Sequence, residues 1–527
     1  MSRYAFFAVH GALLLIPLIA GLHNLFSWLF FLLVLTSVCI GVYDMQQSEH
    51  SLRRNFPVLG RARWFMETLR PFVQQYFIEN ETGGAPISRM LRSIVYQRAK
   101  GDLATIPFGT KLDTDEEGYE WMAHSIVARD IHQQDPDPRI TIGQKRCKQP
   151  YRASVFNISA MSFGALSDNA VRALNRGAHA GGFYHNTGEG GVSDFHLEAG
   201  GDLVWQIGTG YFGCRDTNGN FDAAAFAAMA SRSEIKMIEI KLSQGAKPGH
   251  GGILPASKNT DLIARIRQVP VGQDVISPSA HTAFDSPIGL LQFIARLREL
   301  SGGKPVGFKL CVGDPREFMA LCKAMTETGE APDFITVDGG EGGTGAAPLE
   351  YSNHVGMPMR DGLAFVVNTL QGFGLREEIR VIAAGKIITA FHLARALSLG
   401  ADLCNSARGM MLALGCVQSL ECNTNRCPTG ITTQDPNLTR GLDVSDKGAR
   451  VARYHAQTLH ALLDLTSSAG LGSPSELGRR HLYRRIDGST VKSYADLYPL
   501  PAAGAYLSAS PPASIADYLG TARSDRF

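Results

Sequence analysis

The sequence predicts an α/β protein whose main body is a (β/α)8 barrel, the TIM-barrel architecture, with an N-terminal helical cap and a two-helix transmembrane hairpin. Three observations predict this fold class. Short apolar segments alternate with amphipathic helical segments from about residue 153 onward, glycine clusters follow several of the apolar segments, and the first forty residues are almost entirely apolar. Short, continuously apolar strands are typical of buried parallel sheets, and eight in succession favour a closed barrel.

Eight segments are predicted to contain the barrel strands. In chain order they are SVFNISAMSFG, FYHNTGEGG, IKMIEIKLSQGAKPG, DVISPSAHTA, PVGFKLCVG, DFITVDGGEGGTG, REEIRVIAAGKI and ADLCNSARGM. Helices are predicted between them, the first with Ser167 as its N-cap and Gly181 at its end. A doubly wound open sheet is the alternative, but no G-x-G-x-x-G motif follows the first strand.

The predicted domain boundaries follow this alternation. We expect two transmembrane helices, a cap and linker segment, the barrel, a cysteine-bearing loop with a C-terminal helix, and a tail. These occupy residues 1–45, 46–150, 151–415, 416–475 and 476–527.

The N-terminal segment is predicted to cross a membrane twice. No Asp, Glu, Lys or Arg occurs from Tyr4 to Tyr43. One spanning helix needs roughly 20 apolar residues, so two fit here, with a turn at Gly21–Asn24. Arg3 precedes the first span, and further arginines follow the second: Arg53, Arg54, Arg61 and Arg63.

The positive-inside rule therefore predicts that both ends of the hairpin lie in the cytoplasm. The protein would lie in the inner (cytoplasmic) membrane, with its catalytic domain facing the cytoplasm. A cleaved signal peptide and a pair of soluble core helices are the competing interpretations.

The composition narrows the function classes. The formal net charge is +2 and 19% of the residues are charged, which does not favour a nucleic-acid-binding surface. The nine cysteines are odd in number and irregularly spaced, which favours a reducing compartment over a secreted disulfide framework.

The loops after the predicted strands are the candidate active site, because the loops at the C-terminal ends of barrel strands build the sites of such folds. Gly385 and Lys386 follow the seventh strand, and Ser406, Ala407 and Arg408 follow the eighth. Small residues let backbone N–H groups approach an anion. This position fits the phosphate of a flavin.

Three cysteines, Cys416, Cys422 and Cys427, lie in one short segment with the spacing C-x5-C-x4-C. Structural zinc sites usually contain paired CxxC or Cys/His sets, and neither is present. A catalytic cysteine needs one thiol, and a disulfide would leave one thiol over. The spacing favours an iron–sulfur site, either a three-iron cluster or a four-iron cluster with one non-cysteine ligand.

Several motifs resemble a known family. GCVQSLECNTNRCPTGITTQ is similar to the cluster loop of the glutamate synthase large chain, and ISAMSFGALS, NTGEGG, IKLSQGAKPGHGGILPASK and GGTGAAP resemble, in the same order, its FMN-binding synthase domain. The resemblance covers roughly residues 150–470 and extends to membrane-anchored FMN-binding glutamate synthase-like proteins. It implies a barrel that binds FMN and a [3Fe-4S] cluster. It also implies reductive amination of 2-oxoglutarate, or a related 2-oxoacid, with ammonia to an amino acid.

The resemblance also implies roles for individual residues. Glu189 and Lys247 would be catalytic, and Gln244, Lys247 and Arg267 would bind the substrate, since an arginine fork suits a carboxylate. Lys309 would approach the edge of the flavin ring. The FMN-binding residues that the resemblance implies are Ala160, Met161, Ser162, Thr187, Gln244, Lys309, Gly342, Gly343, Thr344 and Gly345. Gly385, Lys386, Ala407 and Arg408 are expected at the flavin phosphate from their position after the last two strands, where the chain departs from the family pattern. The implied cluster ligands are Cys416, Cys422 and Cys427.

The expected partners follow from what the sequence lacks. We expect no glutaminase domain and see no NAD(P) fingerprint, so free ammonia or a separate glutaminase would supply nitrogen, and ferredoxin or a flavoprotein would supply electrons. An alternative is a membrane-tethered flavoprotein dehydrogenase that oxidises an amino or hydroxy acid and passes electrons through the cluster to membrane carriers. A third hypothesis is a non-catalytic membrane scaffold.

Overall fold

The computed structural model describes residues 3–21 and 24–527. The chain divides into two compact units, Met1–Arg89 and Met90–Phe527. The first unit contains the apolar N-terminal helices, and the second contains the barrel.

The strands of the described residues are short. They are β1 Glu120–Met122, β2 Arg139–Ile142, β3 Tyr151–Ser154, β4 Phe156–Ile158, β5 His185–Asn186, β6 Leu203–Ile207, β7 Ile235–Lys241, β8 Ile253–Leu254, β9 Val275–Ile276, β10 Val306–Cys311, β11 Phe334–Asp338, β12 Arg380–Ala384, β13 Leu403–Ser406, β14 Leu482–Arg485 and β15 Val491–Ser493.

The α-helices range from one turn to seven. They are α1 Arg3–Ala20, α2 Leu25–Gln46, α3 Ser51–Asn55, α4 Arg61–Val73, α5 Arg89–Lys100, α6 Asp168–Gly181, α7 Asp194–Leu197, α8 Ala223–Ala230, α9 Asp261–Arg267, α10 Pro287–Leu300, α11 Pro315–Thr328, α12 Leu349–His354, α13 Met359–Gly372, α14 Ala390–Leu399, α15 Arg408–Leu414, α16 Pro436–Thr439, α17 Val444–Ser468, α18 Tyr494–Leu497 and α19 Ala513–Thr521.

Eight of these strands close into the predicted barrel. Their order is β4-β5-β6-β7-β10-β11-β12-β13, and β13 pairs with β4 to complete the ring. All of the pairings are parallel. The predicted fold class, an α/β protein with a (β/α)8 barrel, is confirmed.

Two strand assignments were wrong. The third barrel strand is β6, LVWQI, which we did not predict, and DVISPSAHTA does not enter the barrel. Its residues Val275 and Ile276 form β9, which pairs with β8 in an antiparallel two-stranded sheet. The reason is that the chain between β5 and β6 contains only α7, a single turn, so the expected strand–helix alternation is missing there.

Local capping explains the helices that surround the barrel. The hydroxyl of Ser167 accepts a hydrogen bond from the N–H of Ala170, and Gly182 ends α6 in the left-handed conformation. α11 begins with the Asp314 cap and a proline at its first turn, and ends at Gly329 in the left-handed region. The predicted N-cap Ser167 is therefore confirmed.

A buried carboxylate, Glu239, organises the barrel interior. It accepts hydrogen bonds from the side chains of Asn186 (2.8 Å), Gln206 (2.7 Å) and Thr336 (2.6 Å), which belong to β5, β6 and β11. A buried charge is tolerated when its oxygens are fully hydrogen-bonded. The network fixes β6 inside the barrel and places a polar layer below its mouth.

In the N-terminal unit, α1 and α2 pack as an antiparallel pair. His10 contacts the hydroxyl of Ser37 at 3.1 Å, and Phe6 is buried near Gly41. Within the described residues, α2 is the one helix long and apolar enough to cross a membrane, with a mean hydropathy of 2.4 in its most apolar window; α1 is apolar but shorter. The predicted turn at Gly21–Asn24 includes Leu22 and His23, which lie outside the described residues.

Candidate active site

The C-terminal ends of the barrel strands bring most of the predicted site residues together. Ala160, Met161 and Ser162 follow β4, and Thr187 and Glu189 follow β5. Gln244 and Lys247 follow β7. The remaining loop residues follow β11, β12 and β13, and they are Gly342, Gly343, Thr344, Gly345, Gly385, Lys386, Ala407 and Arg408.

A small, partly open cavity lies at this mouth. It is bounded by loops that follow β5, β6 and β7 and by the segment after β9. The lining residues are Glu189, Thr209, Lys241, Leu242, Ser243, Gln244, Gly249, His250, Gly251, Gly252, Pro278 and Ser279. Two predicted site residues, Glu189 and Gln244, therefore border one cavity, whereas Lys247 and Arg267 are not among its lining residues.

Glu189 is the centre of a charge cluster. Its carboxylate accepts a hydrogen bond from the ammonium of Lys241 at 2.7 Å. Burial alone would raise the pKa of Glu189, but the charges of Lys241, Lys247 and Arg267 outweigh burial and lower it. We call these four residues the Glu189 cluster, in which three cations surround one carboxylate.

The backbone of two glycines, Gly208 and Gly252, packs closely against the carboxylate of Glu189. A Cβ at Gly208 would lie 2.5 Å from one carboxylate oxygen of Glu189, and a Cβ at Gly252 would lie 2.6 Å from the other. Any side chain at either position would displace the carboxylate. Glycine is therefore required where the loops after β6 and β7 meet this group.

Lys247 is buried, and its ammonium donates to the carbonyl of Ala346 at 3.0 Å. Burial, together with the nearby charge of Lys241, lowers the pKa of Lys247 to about 8. Its charge state therefore changes close to physiological pH.

Arg267 reaches the cluster from α9. Its Nη2 donates to the carbonyl of Phe163 at 2.9 Å, and its guanidinium lies over the ring of Phe212 at 5.1 Å. Burial lowers its pKa to about 10. Its Nε is buried and has no hydrogen-bond partner within the described residues. Such an unsatisfied charged donor is costly, which points to a ligand as its missing partner.

Lys309 is already paired. Its ammonium lies 3.0 Å from the carboxylate of Asp338, which also accepts a hydrogen bond from the N–H of Gly245 at 3.2 Å. Burial alone would lower the pKa of Lys309, but the carboxylates around it, chiefly Asp338, raise it. The lysine therefore stays charged while its charge is locally compensated.

Lys386 and Arg408 form a second group of cations at the adjacent ends of β12 and β13. Burial, followed by the charge of Arg408, lowers the pKa of Lys386. Burial also lowers the pKa of Arg408, whose Nη2 donates to the backbone carbonyl of Glu341 at 2.7 Å. Across the described chain, neither makes a direct ion pair with a carboxylate. We call these two residues the Lys386–Arg408 pair.

Backbone geometry around this pair leaves room for an anion. Gly385 has φ of 123° and Lys386 has φ of 48°, so the chain turns sharply after β12. A Cβ at Gly343 would lie 2.9 Å from Nε of Arg408, and a Cβ at Gly345 would meet nothing within 4 Å. Two cations without direct carboxylate partners, beside glycine-rich backbone, fit a phosphate group.

Thr187 and Thr344 take part in loop structure. The Thr187 hydroxyl donates to the carbonyl of Gly188 at 3.0 Å and accepts from the N–H of Gln206 at 3.1 Å. The Thr344 hydroxyl donates to the carbonyl of Ala346 at 3.1 Å. These hydroxyls shape the loops in which they lie.

The three clustered cysteines lie after α15, and all nine cysteines of the chain are free. The thiol of Cys416 has its pKa raised to about 11, chiefly by burial and also by its two cysteine neighbours. For Cys427, burial would raise the pKa, but hydrogen bonds from Thr429 and Thr432 lower it. Burial also raises the pKa of Cys422, so Cys427 is the thiol of the three whose surroundings favour the thiolate. Three neighbouring thiols nevertheless match the donor set of an iron–sulfur cluster.

The geometry of the cysteine loop is not a preformed metal site. Among the described residues, no group of three His, Cys, Asp or Glu side chains is arranged to hold a metal ion. The loop backbone is nevertheless unusual, because Gln418, Leu420 and Asn425 all have positive φ values, 55°, 61° and 65°. Non-glycine residues in this conformation are strained and concentrate at functional sites.

Lys258 anchors this loop. Its ammonium is 2% exposed and donates to the carbonyls of Cys422 and Thr432, both at 2.6 Å. It belongs to the segment after β8, so it connects the cysteine loop with the chain that also supplies Gln244 and Lys247. The sequence analysis did not single it out.

Sequence reasoning also missed Lys241 and Asp338 as site residues. Lys241 is the last residue of β7 and Asp338 is the last residue of β11. The active sites of such barrels lie at the C-terminal ends of the strands, so a charged residue at a strand end is a candidate site residue. Applying this rule to the last residue of each strand, as well as to the loops, would have identified both.

The family model for the conserved region in glutamate synthase matches residues 119–472. The chain belongs to the glutamate synthase family. Membership confirms the predicted enzyme class, an FMN-dependent oxidoreductase of the glutamate synthase type.

Two relatives illustrate the match. The chain is 37% identical over 506 residues to the glutamate synthase large subunit-like protein YerD of Bacillus subtilis, which covers 89% of this chain and 94% of that protein. It is 34% identical over 330 residues to the archaeal-type glutamate synthase (NADPH) of Thermotoga neapolitana. The second match covers 62% of each chain, so the activity of that whole protein is not transferred directly.

Solved structures resemble the chain only distantly. A mandelate oxidase variant with benzaldehyde is 15% identical, has a TM-score of 0.41, and is aligned over 82% of this chain and 97% of its own. This likeness is too low to bear on function.

Proposed function

We propose that the enzyme aminates a 2-oxo dicarboxylic acid, such as 2-oxoglutarate, with ammonia. The Glu189 cluster carries this proposal. Its three cations exceed its single carboxylate, and the orphaned Nε of Arg267 is a buried donor without a partner. A dicarboxylate would supply the missing negative charge, since guanidinium–carboxylate hydrogen bonds are among the strongest in proteins.

The residues of the barrel mouth fit FMN, which the family uses. The Lys386–Arg408 pair would hold its phosphate, and Lys309 with Gln244 would lie toward its ring. FMN would supply the reducing equivalents for amination. Glu189 would hold or move a proton beside the bound substrate, with Lys241 keeping its carboxylate ionised.

Cys416, Cys422 and Cys427 are proposed to hold a [3Fe-4S] cluster that passes electrons to this site. The proposal is supported by three neighbouring thiols on a strained loop that Lys258 anchors. Free ammonia or a separate glutaminase would supply nitrogen. Ferredoxin or a flavoprotein would supply electrons.

The amination proposal is tested by anaerobic stopped-flow of the reduced protein. Mixing with 2-oxoglutarate and ammonium should restore the absorbance of the oxidised flavin, and pyruvate with ammonium should do so much more slowly. The absence of reoxidation with every 2-oxoacid would reject the proposal. NADPH and reduced ferredoxin are compared as electron donors in the same apparatus.

Two arginines on α9 provide a matched pair of variants. Arg267 is buried in the Glu189 cluster, whereas Arg265 is exposed two residues earlier. Arg267→Lys should raise KM for 2-oxoglutarate about ten-fold, because lysine cannot reproduce the planar fork. Arg265→Lys should leave KM unchanged. Equal effects would remove Arg267 from substrate binding.

The cluster proposal has a separate readout. Cys422→Ser should abolish protein-bound iron and acid-labile sulfide, while Cys39→Ser, which alters an exposed cysteine, should not. Iron retained in the Cys422 variant at the wild-type level would contradict this ligand assignment.

We also propose that α1 and α2 anchor the enzyme in the cytoplasmic membrane, with the barrel in the cytoplasm. The apolar composition and low burial of α2 support this, since 11% of its most apolar window is buried. The protein should resist extraction from membranes by alkaline carbonate and be degraded by protease added to the cytoplasmic side. Release by carbonate would reject the anchor.

The membrane helix favours one further candidate function, in which the enzyme oxidises an amino or hydroxy acid and passes electrons to membrane carriers. This alternative predicts that L-glutamate or a hydroxy acid reduces the bound flavin anaerobically and that a quinone reoxidises it. Reduction by neither class of substrate would exclude it.

A further inference from the structure

The helix α4 exposes an apolar face that none of the described residues covers. Phe65, Met66, Phe72 and Val73 are 59%, 60%, 54% and 41% exposed. The spacing of positions 65, 66, 69, 72 and 73 places these residues and Leu69 along one side of the helix. Soluble proteins rarely leave so large a contiguous apolar stripe uncovered.

The apolar stripe continues past the end of α4. A π-helical turn, Gln74–Ile78, extends the helix directly. Tyr76, Phe77 and Ile78 in this turn are 54%, 85% and 63% exposed. The uncovered surface therefore runs from Phe65 to Ile78, about four helical turns, and such amphipathic helices can lie flat on membranes.

Positive charge borders this stripe. Between His50 and Ile78 there are five arginines and one carboxylate, Glu67. Arg63 and Arg70 lie one above the other beside the apolar face, and both are exposed. A helix with an apolar face and an arginine-rich border is typical of the interface between lipid headgroups and acyl chains.

The start of α4 is fixed to the end of α2. The guanidinium of Arg61 donates to both carboxylate oxygens of Asp44, with Nη2 at 2.7 Å from Oδ1 and Nε at 2.9 Å from Oδ2. The N–H of Val58 also donates to Asp44, at 3.0 Å. Asp44 lies in the last turn of α2, so the contact holds α4 at the level where that helix ends.

We propose that α4 and the following π-turn lie in the plane of an anionic lipid surface, with their apolar face among the acyl chains and their arginines among the headgroups. The inference rests on the proposed membrane anchor and adds a second, charge-dependent contact to it. Continuity with α2 and the excess of arginine favour lipid over a second copy of this chain or another protein as the occupant.

Fluorescence quenching in lipid nanodiscs tests this placement with the full-length chain. Phe65→Trp puts an indole on the apolar face, and Glu67→Trp puts one on the opposite, exposed face of the same helix. Lipids brominated near the headgroup end of the acyl chain should quench the added emission of Phe65→Trp at least three-fold more than that of Glu67→Trp. Arg63→Gln combined with Arg70→Gln should reduce this quenching in discs that contain anionic lipid.

Several results would overturn the proposal. Equal quenching of the indoles on the two faces of α4 would do so. Quenching that changes neither with the arginine substitutions nor with the fraction of anionic lipid would also do so. Protection of position 65 that depends on protein concentration in lipid-free detergent would assign the face to a second copy.

The anchor has its own reporter in the same samples. Trp28 lies on α2 and is 47% exposed, and its contribution is obtained by comparison with Trp28→Phe. Quenching of Trp28 without quenching at position 65 would reject the interfacial helix and leave the anchor intact. The absence of both would reject the two together, while turnover in the same discs reports on the enzymatic proposal independently.

Discussion

The two charge groups at the barrel mouth differ in how their cations are compensated. In the Glu189 cluster, Lys241 touches a carboxylate at 2.7 Å, and nearby Lys309 touches Asp338 at 3.0 Å. In the Lys386–Arg408 pair, burial lowers the pKa of both groups, the charge of Arg408 lowers that of Lys386 further, and neither cation contacts a carboxylate directly within the described residues. Lys241 and Lys309 each contact a carboxylate directly, whereas Lys386 and Arg408 do not, so neutral substitutions in these two sets should have different effects on stability.

The largest expected effect is a loss of stability when the ion pair between Lys241 and Glu189 is broken. Lys241→Met would leave the carboxylate of Glu189 without its hydrogen-bonded partner in a buried position. Removing one member of a buried ion pair costs about 3 kcal/mol or more. Chemical denaturation should show this loss, and the double variant Lys241→Met with Glu189→Gln should recover most of it. No recovery in the double variant would mean that Lys241 acts on something other than Glu189.

Neutral substitutions in the Lys386–Arg408 pair should preserve stability but weaken FMN binding. Arg408→Gln or Lys386→Gln removes a repulsive neighbour, so the unfolding free energy of the FMN-free protein should hold or rise slightly. FMN affinity should fall about 30-fold, or about 2 kcal/mol, since each variant loses a charge-assisted hydrogen bond to phosphate. Equilibrium dialysis measures the affinity. Unchanged affinity would place the phosphate elsewhere.

Asp338→Asn would convert a compensated lysine into an uncompensated one. The amide keeps an oxygen for the Gly245 N–H but no longer neutralises Lys309. A positive charge uncovered beside the flavin should favour its reduced, anionic form by about 1–2 kcal/mol. Spectroelectrochemical titration should therefore find a higher reduction potential than in the wild type. A lower potential would exclude Lys309 from the flavin edge.

The smallest effect is a pH dependence of substrate binding. The pKa of Lys247 falls from 10.5 to about 8 on folding. The unfolded chain therefore binds more protons between these values, and this group opposes folding below about pH 8 and stops doing so as the pH rises above 10.5.

Substrate affinity has the opposite trend, because a dicarboxylate attracts the charged ammonium. The Kd for 2-oxoglutarate should rise up to about ten-fold as the pH increases from 7 to 9. Lys247→Arg, which stays charged, should flatten the profile. A wild-type profile that is already flat would exclude a charge contact between Lys247 and substrate.

The sequence predicted those parts of the fold that have local signals. Ser167 predicted the start of α6, and the glycines at its end predicted where it stops. The last strands, β10 to β13, each coincide with a clearly apolar segment. β6 escaped prediction because its preceding helix is one turn long and because Gln206 interrupts its apolar pattern. That glutamine is explained only by Glu239, its partner 33 residues further along the chain.

For the candidate site, the resemblance to the family singled out individual residues, but the sequence did not reveal their electrostatics. Glu189, Lys247 and Arg267 lie up to 78 residues apart along the chain and approach one another only in the folded structure. The pairing of Lys309 with Asp338 depends on the register between β10 and β11, in which Cys311 faces Asp338. No pattern within a single segment encodes that register.

The position of the cysteine loop depends on Lys258. Its ammonium donates hydrogen bonds to the carbonyls of Cys422 and Thr432, which lie on either side of Cys427, and so holds the two ends of this segment together. The backbone of Lys258 belongs to the segment between β7 and β10 that also carries Gln244. A bound molecule that displaced this segment would therefore also displace the carbonyls of Cys422 and Thr432, through the ammonium of Lys258.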